Sequence, residues 1–208
     1  MLKSLLLILA TISISIAGAQ TVIINDDFET PPYETSQAIV GWTVFGNVGE
    51  VSEEGSTSGS HAAAFNVGGN SEGNMLSQSF ATLTGQTYTV EFDATVFGIR
   101  TAGPLSLQIQ VFGPSPDPLL DETVTPPDNG NFHPPTFQHY SYTFVADASA
   151  TTVKFTDIGL GNASADLILD TVSVAPINEV PEPATIALSM LGALPVAIRL
   201  MRQRKTGR

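Results

Sequence analysis

The residue types able to do chemistry in this chain are twenty carboxylates, three histidines and a single tryptophan. With no cysteine, disulfides, thiolate metal centres, iron–sulfur clusters and a cysteine nucleophile are excluded. His133 and His139 flank Pro134-Pro135 without the i, i+4 relation of a helical metal face. No H-E-x-x-H occurs either, so this is not zinc-site spacing. The chain holds no G-x-S-x-G elbow and no Walker loop. Gly159-Leu160-Gly161 is followed by Ser164 where a dinucleotide loop needs glycine. A glycosidase needs only two carboxylates at a suitable separation, but no organised nucleophile accompanies the acids. The expectation is a non-enzymatic protein.

Among the acids Asp170 is the most informative. In a period-two run Ile168, Asp170, Val172 and Val174 share one face, which places Asp170 among buried neighbours. A buried carboxylate needs an ion pair or a metal. Arg100 and Lys154 are the cations available for a pair. Glu50, Glu53 and Glu54 lie beside glycine and serine and read as a solvated loop. Trp42 reads as a core residue. Phe97, Phe112 and Phe132, at strand ends or in a long loop, are the better candidates for a sugar platform.

These residues lie in a segment unlike the two ends of the chain. Between Thr21 and Val180 stand two cations, Arg100 and Lys154, against 19 acids, a net −17 where the whole chain carries −12. Nucleic-acid binding requires cationic side chains to displace phosphate counterions, so DNA and RNA are excluded as direct partners. The N-terminus runs Met-Leu-Lys-Ser, an apolar stretch from Leu5 to Ile16, then Ala17-Gly18-Ala19. That order describes a secretory signal peptide over residues 1–19, with a mature chain beginning at Gln20.

The C-terminal segment over 180–208 has Pro181-Glu182-Pro183, an apolar run from Ile186 to Ile198 and a cluster of Arg199, Arg202, Arg204, Lys205 and Arg208. The prolines break the chain before the apolar run. As a helix, residues 184–201 would extend ~27 Å, close to the ~30 Å of a bilayer core. The basic cluster would hold that end on the cytoplasmic side. This tripartite tail resembles the PEP-CTERM sorting signal of exported bacterial proteins, with Pro181, Glu182 and Pro183 matching its motif. The resemblance implies exosortase, an integral-membrane transpeptidase, as a processing partner. It also implies a membrane-anchored precursor and a final place at the cell surface or in an exopolysaccharide matrix.

The segment over 20–178 is expected to be the folded domain. Tyr88, Val90, Phe92, Ala94 and Val96 alternate with Thr87, Thr89, Glu91, Asp93 and Thr95; Leu105 to Val111 repeats the pattern. Further strands are predicted over Thr21–Ile24, Val44–Val51, His61–Val67, Met75–Phe80, Leu119–Thr125, Phe137–Val145, Thr152–Thr156 and Asp166–Val174. The Leu119–Thr125 strand lies within a stretch of seven prolines from Gly113 to Thr136, which makes it an edge. Many short strands with Gly, Pro and Asn turns mean an all-β antiparallel sandwich or barrel.

Several landmarks in order resemble the galactose-binding-like jelly rolls of carbohydrate-binding modules. They are Asn25-Asp26-Asp27-Phe28-Glu29, Gly41-Trp42, Ser58-Gly59-Ser60-His61-Ala62, Leu76-Ser77-Gln78-Ser79-Phe80, Gly85-Gln86-Thr87-Tyr88 and Leu169-Asp170-Thr171-Val172-Ser173-Val174. The resemblance implies an antiparallel jelly roll that associates with polysaccharide. It also implies a structural Ca²⁺ tying the first strand to the last, with Glu29 and Asp170 as acidic ligands and backbone oxygens near Asn25 and Asp27. The rival expectations are a secreted polysaccharide-active enzyme and a structural matrix protein with no sugar site.

Overall fold

The alternation read from the sequence is the frame of the structure. In the computed structural model, which describes residues 23–33, 38–52, 55–67, 73–99, 103–128, 130, 134–159 and 165–177, ten strands form two five-stranded sheets. They are β1 (Thr43–Phe45), β2 (Val48–Val51), β3 (Ala62–Phe65), β4 (Met75–Ala81), β5 (Thr87–Gly98), β6 (Leu107–Phe112), β7 (Leu120–Val124), β8 (Gln138–Val145), β9 (Ala150–Asp157) and β10 (Ala165–Pro176). The first sheet runs β1-β4-β9-β6-β7 and the second β2-β3-β10-β5-β8, with every strand pairing antiparallel. The all-β antiparallel sandwich is therefore the observed architecture. The signal peptide, Pro181-Glu182-Pro183 and the helix over 184–201 lie outside the described residues.

Side chains from facing sheets fill the space between them. Phe92 of β5 meets Phe155 of β9 edge to face at 5.3 Å, and Trp42 packs on Phe28 and Phe155 at 5.8 and 6.3 Å. Trp42 is thus a core residue, and its Nε1 donates to the Asn25 carbonyl at 3.0 Å. A smaller apolar cluster of Ala62, Ala64 and Ile168 sits on the outward face of the second sheet, with Phe97 and Phe137 packed against it. Phe97 is therefore no open platform.

Three expectations need correction. The stretch Val44–Val51 is two strands, because Gly46 at φ 80 turns the chain and the Asn74 side chain accepts from Asn47 N–H at 2.8 Å. Ile23 and Ile24 form no strand; instead the Gln78 amide donates to the Ile24 carbonyl (2.8 Å) and accepts from its N–H (2.7 Å). A side-chain amide here does what a neighbouring strand would.

The third correction concerns the face of Asp170. Pairing of β10 with β5 runs from Asp170↔Asp93 to Ser173↔Glu91, so three steps on β10 match two on β5. This is a β-bulge, and Thr171 takes it up at φ 52. Leu169 and Val172 both enter the core, whereas Asp170 stays on the outward face with Ile168. Asp170 does not share a face with Val172 and Val174.

Candidate functional site

The bulge brings Asp170 beneath the loop that precedes β3. Its Oδ2 accepts from Thr57 N–H (2.6 Å), Thr57 Oγ1 (2.9 Å) and Ser58 N–H (3.0 Å), and its Oδ1 from Thr171 N–H (2.7 Å). The residue is completely buried. Burial pushes its carboxyl above the usual aspartate range, and the bonds from Ser58, Thr57 and Thr171 oppose that shift in part.

Glu29 holds the other half of the same loop. The turn over residues 25–30 is anchored by Phe28, fully buried, and by Val172 N–H donating to the Asp26 carbonyl at 2.8 Å across the bulge. From this turn the Glu29 carboxylate accepts from the backbone N–H groups of Ser60 and His61, and from His61 Nδ1 at 3.1 Å. Desolvation acts to raise Glu29, but the backbone and ring of His61 and the backbone of Ser60 outweigh it and hold the carboxyl low. Gly59, at φ 58, lies where any Cβ would collide with that carboxylate. Tyr33 completes the corner: its ring stacks on His61 at 3.8 Å and 7°, and its hydroxyl donates to the Glu29 carbonyl at 3.1 Å.

The two acids expected to bind metal therefore converge on one loop, residues 55–61, from opposite ends of the chain. Among the described residues no three His, Asp or Glu side chains gather as a metal cluster. The groups turned toward both carboxylates are N–H and O–H donors, so a cation taking Glu29 and Asp170 as ligands would have to displace some of these bonds. Carboxylate oxygens are donors of the kind hard divalent ions take, and among the described residues no Lys or Arg salt bridge occupies the buried acid.

The remaining expected residues fall elsewhere. Lys154 is on the first sheet with its Nζ 4.9 Å over the Phe112 ring, far from the role of partner to Asp170. Arg100, Phe132, His133, Glu53 and Glu54 lie outside the described residues. Glu50 is not solvated: it sits in β2, 3% exposed, with Asn25 Nδ2 3.5 Å from its Oε1. His139 bonds Asp93 at 2.8 Å, and these two continue a row with Asp170 across β8, β5 and β10. Thr57, Ser58, His61 and Tyr33 were not foreseen as site residues, although the Ser58–Ala62 motif marked the place of Ser58 and His61.

The outward face of the first sheet is different in character. Across β4, β9, β6 and β7 the register sets Ser77, Lys154, Gln110 and Asp121 in one row. Asp121 orients two amides, accepting from Gln108 Nε2 at 2.8 Å and Gln110 Nε2 at 3.1 Å. Ser79 and Thr152 share a hydrogen bond of 2.7 Å alongside.

No family model matches the chain, and no match is found among curated proteins. Solved structures do match. One is TmCBM61 in complex with beta-1,4-galactotriose, at TM-score 0.55 and 16% identity over 76% of this chain and 99% of that one. Another is the CBM22-1 xylan-binding domain of Paenibacillus barcinonensis Xyn10C, at TM-score 0.53 and 15% identity over 79% and 99%. A third is a cyclase from Fischerella sp. TAU, at TM-score 0.58 and 14% identity over 77% and 98%. The likeness is one of fold. It joins the chain to jelly-roll sandwiches that include carbohydrate-binding modules, and that same fold also carries enzymes.

Proposed function

We propose that this chain is an exported cell-surface or matrix protein whose jelly roll binds carbohydrate without catalysis. The outward face of the first sheet is the binding surface. The observation that carries this reading is the row of Ser77, Lys154, Gln110 and Asp121, with Gln108 and Phe112 beside it. Four adjacent strands span about 14 Å, and the row offers donors and acceptors with fixed directions along that length. Such a surface suits a sugar chain, whose hydroxyls both donate and accept. The fold shared with galactotriose- and xylan-binding modules supports the reading. Screening the protein on a glycan array, then titrating the ligand found, tests it. Gln110→Ala should weaken binding roughly tenfold, the worth of about one hydrogen bond with its unpaired partner. Unchanged affinity in Gln110→Ala and Phe112→Ala would move the site off this face, and silence across the array would favour a purely structural role. Turnover that disappears with a single carboxylate would favour an enzyme instead.

The sorting reading belongs to the same proposal and rests on the sequence of the two ends. Exosortase would process the chain at or near Pro181-Glu182-Pro183. Replacing these three residues with alanine should leave precursor in the membrane of a host with exosortase. Mass spectrometry of surface-exposed protein that still ends at Arg208 would count against it. Ca²⁺, held by Glu29 and Asp170 with oxygens of the 55–61 loop and the 25–30 turn, would neutralise the buried acid and fasten the first turn to the last strand.

A further inference from the structure

Four strands form the borders of the two sheets, and three of them are blunted. β1 has three residues and β2 four, too few to template a partner, and β7 carries Asp121 and Glu122. The fourth, β8, runs eight residues, Gln-His-Tyr-Ser-Tyr-Thr-Phe-Val, with no proline, lysine, arginine, aspartate or glutamate. Its register with β5 is unbroken from Thr87↔Val145 to Ala94↔Gln138, so no bulge twists it away. Among the described residues no other strand pairs with it. Proteins protect exposed edges with shortness, charge, proline or bulges, and β8 has none of these.

We propose that β8 pairs antiparallel with β8 of a second copy of this chain, joining two five-stranded sheets into one of ten strands. Charge selects the contact. A domain of net −17 repels its own copies, so self-association must use a neutral surface, and β8 is the neutral border long enough to pair. The acids nearest on its outward face, Glu91 and Asp93, lie one strand further in and already bond Ser141 and His139. Two-fold antiparallel pairing also lets one sequence satisfy itself. With the two-fold axis at Ser141 or at Thr143, that residue meets its own copy on the outward face. Tyr140 and Tyr142, half-buried and stacked on Phe92 at 5.2 and 6.4 Å, line the core side of the seam. On the core side, Glu122 of β7 acts electrostatically on Tyr142. An eight-residue seam buries little area, so the dimer should be weak and dependent on concentration.

Sedimentation of the full chain in neutral detergent, over a wide concentration range, tests this. The wild type should dimerise reversibly. Ser141→Lys with Thr143→Lys should raise the dimer Kd by roughly tenfold or more, because like charges then face each other across the seam. Because the chain lacks cysteine, single-cysteine variants give a second measurement that does not depend on the lysine pair folding. Mild oxidation should link Ser141→Cys or Thr143→Cys, whichever lies nearer the two-fold axis, but not Thr123→Cys on β7. A chain that stays monomeric overturns the proposal. So does a dimer indifferent to the lysines and unlinked by both β8 cysteines, as association through the apolar run from Ile186 would be.

Discussion

Asp170→Ala is expected to release the 55–61 loop and, on the Ca²⁺ site proposed above, to abolish the rise in melting temperature that calcium would give the wild type. The substitution removes the acceptor for Thr57, Ser58 and Thr171 N–H at once. Leaving such donors unpaired costs about 1–3 kcal/mol. For the wild type, calcium at 100 times its Kd adds ~2.7 kcal/mol, roughly 5–10 °C for a domain of this size. Moderate salt separates this specific effect from the diffuse attraction of divalent ions to an acidic domain. Wild type that melts identically in chelator and in millimolar calcium would remove calcium from the account and leave Asp170 held by the loop alone.

The metal-free protein carries a pH signature with a definite sign. Asp170 has a raised carboxyl in the folded state, chiefly from burial, so the unfolded chain ionises first. Its share of stability is complete below the ordinary aspartate pKa and is lost as pH rises through the raised folded value. Glu29 is displaced downward, so its share is present above the ordinary glutamate pKa and is lost as pH falls through the lowered one. The two clamps on one loop therefore oppose each other across the carboxylate range. Asp170→Asn keeps a carbonyl for Thr57 and Ser58 but cannot ionise. In chelator, its melting temperature should gain on the wild type as pH rises through that range. A constant difference between the two curves would show that Asp170 does not titrate in the way its burial demands.

Phe92→Ala should be the most damaging single truncation in the core. The ring is fully buried on β5, meets Phe155 of the opposite sheet edge to face, and supports Tyr140 and Tyr142 on β8. Removing it leaves a cavity that two hydrogen-bonded sheets close poorly, at a cost of about 3–5 kcal/mol. Each kcal/mol is worth roughly 2–4 °C of melting temperature in a domain of this size. Leu83→Ala, at a side chain 71% exposed, should change stability by no more than about 0.5 kcal/mol. Urea unfolding of both variants checks the pair; equal midpoints would mean that the two sheets do not depend on this contact.

Period-two alternation and turn residues were enough, in the sequence alone, to specify an antiparallel all-β sandwich or barrel, which the pairing of the strands resolves as a sandwich. They also placed β4 to β9 within a few residues, because strand geometry repeats every two residues and is written locally; Trp42 was assigned to the core from its residue type alone. The same alternation misassigned Asp170. In the first half of β10 both parities are apolar, with Ile168 and Leu169 adjacent, so the extra residue at Thr171 leaves no trace in the pattern. Only the register against Asp93 and Glu91 shows which way Asp170 points. Glu50 read as solvated from its neighbours Glu53 and Glu54, yet β2 pairs with β3 and the Asn25 turn reaches it. The partners of the two key carboxylates were beyond local reading altogether: Asp170 binds Thr57 across 113 positions and Glu29 binds His61 across 32. Residue type marks a carboxylate as needing a partner, because burying its charge is costly. Which backbone supplies that partner is decided when distant segments fold together.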